Sequence, residues 1–276
     1  MLFMAGRGDA YEKYLETLEH WRGQGWQVVA ADWRGQGGSG RLGRDETTGH
    51  QDDYAGWVQD LAAIWQDFAG AQDGPLVLAG HSMGGHLVLR ACMDGALTPH
   101  PDALVLSAPM LDVVPETMPL PIRHALAALM ARVGDARRPA WRGGESPLAG
   151  PDLRQRLLTH DNARYGDELF WREQRPELAM GPGSWGWVRA SLASIRHIFG
   201  AGRAEAMTVP TTIVATSADR LVGPAAIRRM ADRLPDVELT EFGKEARHEI
   251  LREEDAVRDR ALAAIDAFLD RRLPRS

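Results

Sequence analysis

The hydrophobic and polar positions of this chain follow two periods. Short apolar runs bounded by turn residues predict buried strands, and they fall at residues 1–5, 26–31, 76–81, 103–107, 211–216 and 237–242. Between these runs, apolar residues recur every three or four positions, which predicts amphipathic helices. The clearest helix spans 52–68, and others begin with a cap at Asp9, directly after Ser82, at Pro224 and near Val257. Strands and helices in alternation predict a parallel sheet covered by helices.

The alternation stops between residues 112 and 206. Seven of the sixteen prolines lie between Pro109 and Pro151, and four of the nine tryptophans lie between Trp141 and Trp187. Apolar residues at 122, 126, 129, 130 and 133 predict an amphipathic helix, and leucines at 153, 157 and 158 predict another. We therefore expect residues 1–111 and 207–276 to form the core, with 112–206 as a helical cap inserted over the sheet.

Composition narrows the function classes. The chain has 276 residues with a formal charge of −6, so it lacks the excess of basic residues that is typical of nucleic-acid-binding proteins. A single cysteine excludes an internal disulfide framework and fits a reducing compartment. No apolar run reaches the roughly 20 residues of a membrane span, and the first residues lack the features of a signal peptide. We expect a cytoplasmic protein, with a peripheral position at the inner membrane surface left open; the oligomeric state is not predicted.

The stretch Gly80-His81-Ser82-Met83-Gly84-Gly85 is the strongest chemical signal. Gly-x-Ser-x-Gly occurs often by chance, but here a strand precedes it and a helix follows it. Such a strand-to-helix turn exposes a serine hydroxyl above the sheet edge, facing the positive end of the helix. Ser82 is therefore a candidate nucleophile. His81 and His86 flank it and are interpreted as packing or hydrogen-bonding residues.

A serine nucleophile needs a histidine as its base and an acid that orients the histidine. In folds with such a turn, the acid follows the serine along the chain and the histidine follows the acid. Asp219 comes just after the strand 211–216, and His248 is the only histidine beyond Asp219. The carboxyl ends of parallel strands share one edge of a sheet, so these two residues and Ser82 are expected to meet there. Asp112, which follows the strand 103–107, is the rival acid.

Two further motifs are not interpreted as cofactor sites. Gly35-Gln36-Gly37-Gly38-Ser39-Gly40 matches a dinucleotide-binding pattern, but a polar, aperiodic segment follows it instead of a helix. We interpret it as a loop. His248-Glu249 lacks the second histidine that a helical zinc motif needs. We expect no metal and no cofactor.

These residues resemble the α/β-hydrolase superfamily, and within it the monoacylglycerol lipase and bacterial lysophospholipase group of serine aminopeptidase-like hydrolases. The resemblance covers nearly the whole chain. It rests on Gly6-Arg7-Gly8, Glu12-Lys13-Tyr14, Asp32 to Gly37, Gly80 to Gly85, Leu158 to Asp161, Trp185-Gly186-Trp187, Asp219 before Val222, and Arg247-His248-Glu249. It implies a mostly parallel sheet with helices on both faces and a helical cap.

The resemblance also implies roles for single residues. Ser82 would be the nucleophile, Asp219 the acid and His248 the base. The backbone N–H groups of Met83 and Arg7 would form the oxyanion hole. In the cap, the residues expected to bind substrate are Trp185, Trp187, Arg137 and Arg138.

The implied activity is the cleavage of carboxylic esters through an acyl-enzyme. The apolar insertion favours a monoacylated lipid, such as a lysophospholipid or a monoacylglycerol. One alternative is a prolyl aminopeptidase-type enzyme, which needs acidic cap residues for a free amine; Glu145, Asp167 and Glu168 are the candidates. Another alternative is a binding protein without catalysis.

Four arginines, at 132, 137, 138 and 142, follow the predicted cap helix. They form either a solvated basic turn or a seat for a phosphate head group or an anionic membrane surface.

The chain begins at what resembles the third strand of the family sheet, so the first two strands are absent and the strand 26–31 would lie at an edge. Gln27 to Ala31 carries no charge and no proline, a profile that natural edges avoid. We expect either pairing with another subunit or a start upstream of Met1, and favour the second.

Overall fold

A computed structural model describes residues 1–114, 118–144 and 151–273 of the protein. Its centre is a six-stranded parallel sheet in the order β2-β1-β3-β4-β5-β6. The strands are β1 (Leu2–Met4), β2 (Val29–Ala31), β3 (Val77–His81), β4 (Ala103–Ser107), β5 (Thr211–Thr216) and β6 (Val237–Phe242). Strands 1 to 6 all run in one direction, so their carboxyl ends meet at a single edge, where loops carry the candidate site.

Helices cover both faces of this sheet. They are α1 (Leu15–Gly23), α2 (Tyr54–Gly70), α3 (Met83–Met93), α4 (Leu120–Arg132), α5 (Pro151–Leu158), α6 (Asn162–Gln174), α7 (Trp185–Ile198), α8 (Pro224–Ala231) and α9 (Asp255–Arg272), with short 3₁₀ turns at Tyr11–Tyr14, Pro176–Leu178 and Ile250–Arg252. Apolar residues of α2, α3 and α8 form one core layer with the sheet, and those of α1 and α9 form the other. The predicted fold class is confirmed.

The first predicted helix needs a correction. Residues 11–14 form a 3₁₀ turn before α1, and Ala10 precedes it without a side-chain cap. Asp9 therefore does not cap this helix; its carboxylate points into a buried charge cluster described below. Leu15, the first residue of α1, is exposed despite its apolar side chain.

Helices α4–α7 lie between β4 and β5 in the sequence, and we keep the division into a core (1–111 and 207–276) and a cap (112–206) as a proposal. Helix α4 packs on α7, where Ala127, Leu192 and Ile195 form a small apolar cluster. Most of the apolar stripe predicted for α4 faces solvent instead: Ile122, Leu126, Leu129 and Val133 are 48–58 % exposed. Periodicity identified the helix but not what covers its apolar face.

Strand β2 lies at one edge of the sheet, next to β1. The ladder covers only residues 29–31 instead of 26–31, and Val29 is exposed. The edge position agrees with the expectation from the sequence, and what pairs with it stays a prediction. Across the described ranges, no helix is both long enough and apolar enough to cross a membrane.

Candidate active site

Ser82 lies at the turn between β3 and α3 with φ 51° and ψ −116°. A positive φ is unfavourable for a residue with a side chain, and it persists only where neighbours fix it. Here the Ser82 N–H donates to the Ser107 carbonyl of β4 at 2.9 Å, and the Ser82 carbonyl accepts from Met110 at 2.9 Å and His86 at 3.0 Å. The strained backbone is therefore held from the neighbouring strand end and from α3.

Glycine is required around Ser82 for steric reasons. A Cβ atom at Gly84 would lie 2.3 Å from the Met4 carbonyl oxygen and 2.4 Å from that of Ala5. At Gly80 it would lie 2.7 Å from the Gly84 carbonyl carbon. Without side chains at these positions, the first turn of α3 packs directly on the end of β1. Ser82 is thus brought beside the loop formed by residues 5–9.

Ser82, His248 and Asp219 form a continuous hydrogen-bonded chain. Nε2 of His248 lies 2.9 Å from Oγ of Ser82, and Nδ1 lies 2.7 Å from Oδ2 of Asp219. The other carboxylate oxygen of Asp219 accepts the N–H groups of Leu221 at 2.8 Å and Val222 at 3.0 Å. Asp219 and His248 are buried, so one oxygen of the acid is fixed by backbone while the other meets the imidazole.

The electrostatics of His248 favour proton acceptance. Burial alone would lower its pKa, but the Asp219 charge and hydrogen bond outweigh burial, and the pKa of His248 is raised above 6.5. Glu249 and Asp9 add to this increase. Burial, together with the neighbouring His248, lowers the pKa of His81, whose ring centroid lies 4.8 Å from that of His248. His81 therefore packs against His248 as a neutral ring.

The rival acid and the second flanking histidine have other partners. The Asp112 carboxylate accepts from Arg123 at 2.8 Å and from the Val113 N–H at 2.8 Å. It is thus held by α4 and is not the carboxylate that His248 contacts. His86 lies 2.6 Å from the Ser194 hydroxyl, and burial lowers its pKa to about 3.

The loop before α1 contributes Arg7, which lines the same cavity as Ser82. The Gly6 N–H donates to Asp9 at 3.2 Å and the Gly8 N–H donates to the Gln36 side chain at 3.0 Å, so the backbone is held on both sides of Arg7. Met83 is the first residue of α3, and helix geometry leaves its N–H without an intrahelical acceptor.

Gln36 also explains the glycine-rich segment 35–40. Its side chain is buried against the loop that carries Arg7, and no helix begins after this segment until Tyr54. The segment is therefore a loop that holds the neighbouring Arg7 loop in place through Gln36. Sequence reasoning missed this role because the bond from Gly8 to Gln36 joins positions 28 residues apart.

The cavity above Ser82 has a volume of about 370 Å³, within the range of ligand pockets. Its apolar lining consists of Met110, Val113, Val114, Ala140, Trp141, Leu157, Leu158, Trp185, Trp187, Val188, Leu221 and Val222. The two tryptophans predicted to bind substrate are therefore both in its wall.

Arg137 and Arg138 are not in that wall. The Arg138 guanidinium donates to the Met130 carbonyl at 2.7 Å and the Asp135 carbonyl at 3.0 Å, which folds the turn back onto the end of α4. Arg137 donates to the Asp135 carboxylate and is exposed. The structure does not bring these two arginines to Ser82.

A buried charge cluster lies beside the cavity instead. Lys13 contacts Asp9 at 2.7 Å, Glu168 at 3.0 Å and Glu249 at 2.5 Å. Burial would lower the pKa of Lys13, but the three carboxylates outweigh it, and the pKa is raised. The cluster continues through Arg154 and Arg172 to Glu168, and through Arg252 to Glu249. Lys13 and Glu249 belong to motifs that marked the resemblance, but their contact spans 236 positions and has no local signature.

The family model described as "Serine aminopeptidase, S33" matches residues 1–255. The chain belongs to this family. It is 33 % identical over 283 residues to lysophospholipase L2 of Escherichia coli, covering 96 % of this chain and 78 % of that protein. The probable lysophospholipase L2 of Haemophilus influenzae is 24 % identical, with 98 % of this chain and 83 % of that protein covered.

Solved structures give the same fold. A soluble variant of Saccharomyces cerevisiae monoglyceride lipase superposes with a TM-score of 0.79 at 20 % identity, covering 99 % of this chain and 87 % of that one. The monoacylglycerol lipase of Paleococcus ferrophilus superposes with a TM-score of 0.74 at 21 % identity, covering 98 % and 93 %. The α/β-hydrolase fold and the family resemblance are thus confirmed. The chain is a serine ester hydrolase related to lysophospholipases and lipases.

Proposed function

We propose that this protein cleaves carboxylic esters of monoacylated lipids through an acyl-enzyme at Ser82. The observation that supports this most directly is the chain from Ser82 through His248 to Asp219, with contacts of 2.9 and 2.7 Å, at a mainly apolar cavity. A nucleophile, a base and an orienting acid in this arrangement are the parts that acyl transfer needs.

In the proposed reaction, neutral His248 takes the proton of Ser82 as the hydroxyl oxygen attacks the ester carbonyl. The N–H groups of Met83 and Arg7 stabilise the oxyanion, and such donors typically contribute about 10²–10³-fold in rate. His248 then protonates the leaving alcohol. A water molecule, deprotonated by His248, attacks the acyl-enzyme and releases the fatty acid. Asp219 fixes the imidazole tautomer and stabilises its charged form.

The lining of the cavity favours an acyl chain as the group that enters it. Twelve apolar side chains surround the candidate nucleophile, and the related E. coli protein is named a lysophospholipase. A lysophospholipid or a monoacylglycerol carries one acyl chain on a polar alcohol, which suits an apolar cavity with a charged end. We propose this class as the substrate.

The alternative of an aminopeptidase is less well supported. A free amine needs an acidic partner, and Glu168 is already engaged by Lys13, Arg154 and Arg172. Asp167 borders a separate surface cleft, and Glu145 lies outside the described residues. The acids that do line the cavity, Asp9 and Glu249, both contact Lys13. Among the described residues that line the cavity, no acid is therefore left for the amine, so we favour the ester.

We further propose that the protein works in the cytoplasm and touches the inner membrane surface through α4. The exposed apolar side chains of Ile122, Leu126, Leu129 and Val133 adjoin the basic turn that contains Arg137. An apolar stripe beside cationic residues is typical of interfacial helices. We retain this membrane role for the basic turn, since neither Arg137 nor Arg138 lines the cavity.

Steady-state hydrolysis tests the proposed function. Wild type is assayed with a lysophospholipid, a monoacylglycerol, a short neutral ester and a proline-initiated aminoacyl amide. We expect ester turnover that Ser82→Ala and His248→Ala each lower by about 10⁴-fold or more, with little extra loss in the double variant. Preference for the amide would support the aminopeptidase. Absence of turnover, together with no reaction with a fluorophosphonate, would support a binding protein.

A further inference from the structure

Arg7 belongs to the candidate site with its backbone and to the proposed cap with its side chain. It lies in the loop between β1 and α1, and it lines the cavity above Ser82. In the proposed reaction its N–H is one of the two donors that stabilise the oxyanion. Its side chain reaches residues of the cap, 112–206. One residue thus joins the place of reaction to the structure that covers it.

The Arg7 side chain contacts two aromatic rings and a carbonyl group of the cap. Its guanidinium carbon lies 4.8 Å from the ring centroid of Trp187 and 5.5 Å from that of Trp141, and Nη2 donates to the Gly181 carbonyl at 2.8 Å. The two rings pack edge to face, with centroids 6.4 Å apart. Both rings attract the cation, and the hydrogen bond fixes its orientation.

Two glycines make room for this arrangement. A Cβ atom at Gly183 would lie 2.7 Å from the Trp187 ring and 2.8 Å from the Trp141 ring. A Cβ atom at Gly49 would lie 3.1 Å from Nη2 of Arg7. These distances are shorter than ordinary contacts of a Cβ atom. The rings and the guanidinium therefore occupy space that side chains at these two glycines would need.

The cap segment 181–184 is fixed to the core. The Gly49 N–H donates to the Pro182 carbonyl at 2.9 Å, and the Ser184 N–H donates to the Gly49 carbonyl at 2.9 Å. The Ser184 hydroxyl accepts the N–H of Trp187 at 3.0 Å, where α7 begins. Because these bonds hold the segment and the start of α7 against the core, the groups that Arg7 contacts form a fixed anchor.

The loop by itself leaves the orientation of the Arg7 N–H open. Arg7 stands between Gly6 and Gly8, and Gly8 has φ 73°, so the residues on both sides have a permissive backbone. Asp9 and Gln36 accept the N–H groups of these two glycines, which fixes the neighbouring peptide groups but not the one that carries the Arg7 N–H. An anchored Arg7 side chain fixes the direction of its Cα–Cβ bond and thereby the orientation of this N–H.

We propose that the Arg7 side chain is a positioning group, which aims the Arg7 N–H at the oxyanion by anchoring on Trp141, Trp187 and Gly181. This inference rests on the proposed function, in which that N–H is an oxyanion donor. Such a donor acts when it lies about 2.7–3.1 Å from the oxyanion, and a displacement of about 1 Å costs on the order of 10²-fold in rate. The side chain therefore contributes to kcat and not to the binding of the ground state.

The test compares two arginines that join the core to the cap. Arg7→Met removes the guanidinium but keeps an apolar chain for the two rings. Arg189→Met is the matched control, because Arg189 on α7 donates to the Asp52 carbonyl at 3.1 Å and so joins the cap to the core through residue 52 and not through the loop 5–9. For each protein, kcat and KM are measured with a monoacylglycerol below the concentration at which it aggregates.

Two inhibitors with the alkyl chain of the substrate separate the oxyanion from ground-state binding. With a trifluoromethyl ketone, Oγ of Ser82 bonds to the carbonyl carbon, His248 takes the hydroxyl proton, and the carbonyl π electrons move to the oxygen, which becomes an oxyanion. An ether analogue of the ester has no carbonyl group, so its inhibition constant reports binding of the chain alone. Thermal unfolding of each variant reports the folded fraction.

We expect Arg7→Met to lower kcat by about 10–100-fold and to change KM by less than about threefold. The inhibition constant of the ketone should rise by the factor by which kcat/KM falls, and that of the ether should change by less than about threefold. Arg189→Met should match wild type in all of these quantities. If Arg7→Met does not fold, Arg7→Lys, which keeps a cation for the two rings, should show the same pattern with a smaller loss of kcat, about threefold or more.

A kcat of the folded Arg7 variant equal to that of wild type would overturn the proposal. Equal weakening of both inhibitors would do so too, because Arg7 would then bind the substrate itself. The same loss of kcat in Arg189→Met would make the effect a general loosening of the cap. In these cases wild type hydrolyses the ester and binds the ketone, so the proposed function stands. A wild type that does neither would refute the proposed function and the positioning role with it.

Discussion

Lys13 is the position where a single substitution should disturb three parts of the candidate site. It contacts Asp9 in the loop beside Arg7, Glu249 next to His248, and Glu168 on α6, while its own side chain is only 4 % exposed. Lys13→Met keeps the length and the apolar stem of the side chain but removes the charge. The three carboxylates then lose their common partner.

The expected cost follows from what each carboxylate retains. Glu249 keeps Arg252, and Glu168 keeps Arg154 and Arg172. Asp9 keeps only neutral donors, the Tyr14 hydroxyl and the Gly6 N–H. Removing one partner of a buried pair costs about 3–5 kcal/mol, and the retained partners argue for the lower value, near 3 kcal/mol. At about 2–4 °C per kcal/mol, the midpoint of thermal unfolding should fall by about 6–12 °C.

Urea and thermal unfolding at pH 7 measure this loss, with Arg22→Met as the matched control. Arg22 pairs with Glu19 on the surface, where both side chains are mostly exposed, so its loss should leave stability unchanged within error. A Lys13→Met protein no less stable than Arg22→Met would refute the reasoning.

The pH dependence gives a second check with a defined sign. Burial raises the pKa of Glu249, but Lys13 and Arg252 outweigh it and lower the pKa to about 2; the pKa of Glu168 is lowered likewise. A carboxylate with a depressed pKa contributes stability that is fully present above its unfolded pKa near 4.5 and is lost as the pH falls toward the folded value. The difference in the free energy of unfolding between wild type and Lys13→Met should therefore become smaller as the pH falls from 5 to 3. A constant difference across that range would show that the carboxylates are not involved.

Further predictions concern catalysis, packing and the membrane. Since the pKa of His248 is raised, kcat/KM of the wild type should fall as the pH is lowered, with a midpoint above 6.5. Asp219→Asn should lower kcat by about 10⁴-fold and move the midpoint of the residual activity to lower pH, because the imidazole loses the carboxylate that raises its pKa. Gly84→Ala places a Cβ atom 2.3 Å from a carbonyl oxygen of β1 and should cost about 1–3 kcal/mol of stability or more. Gly70→Ala is the control, because its Cβ atom would meet no atom within 4 Å and should not lower stability. Equal stabilities of these two variants in urea would contradict the packing. Leu129→Glu should reduce co-sedimentation with anionic vesicles without changing turnover of a soluble ester, and unchanged sedimentation would remove α4 from the membrane proposal.

The sequence anticipated the sheet well because its strands are parallel and the central ones are buried. Strands β4 and β5, which are buried along their whole length, begin and end where they were predicted to, since both faces of each strand need apolar cover. The edge strand β6 also matches its prediction, whereas β2, at the other edge, pairs only over residues 29–31. Because the carboxyl ends of parallel strands share one edge of the sheet, the positions of Ser82, Asp219 and His248 after strand ends predicted that they meet there.

The charge pairings escaped sequence reasoning because their partners are far apart along the chain. Asp9 looked like a helix cap, yet its carboxylate accepts from Lys13 and from a backbone N–H of its own loop. Arg137 and Arg138 attracted attention as neighbours in sequence, whereas Arg154 was not singled out, and the residue it contacts, Glu168, lies on another helix. Periodicity likewise reports an apolar face without saying whether protein or membrane covers it.

The central claim is that an acyl group is transferred to Ser82. The most direct measurement is to mix the enzyme with an activated acyl ester, quench the reaction within the first turnover, and locate the added mass by peptide mapping. The account predicts one acyl group on Ser82 in the wild type and none in Ser82→Ala. Acylation of a different residue, or undiminished turnover by Ser82→Ala, would contradict it.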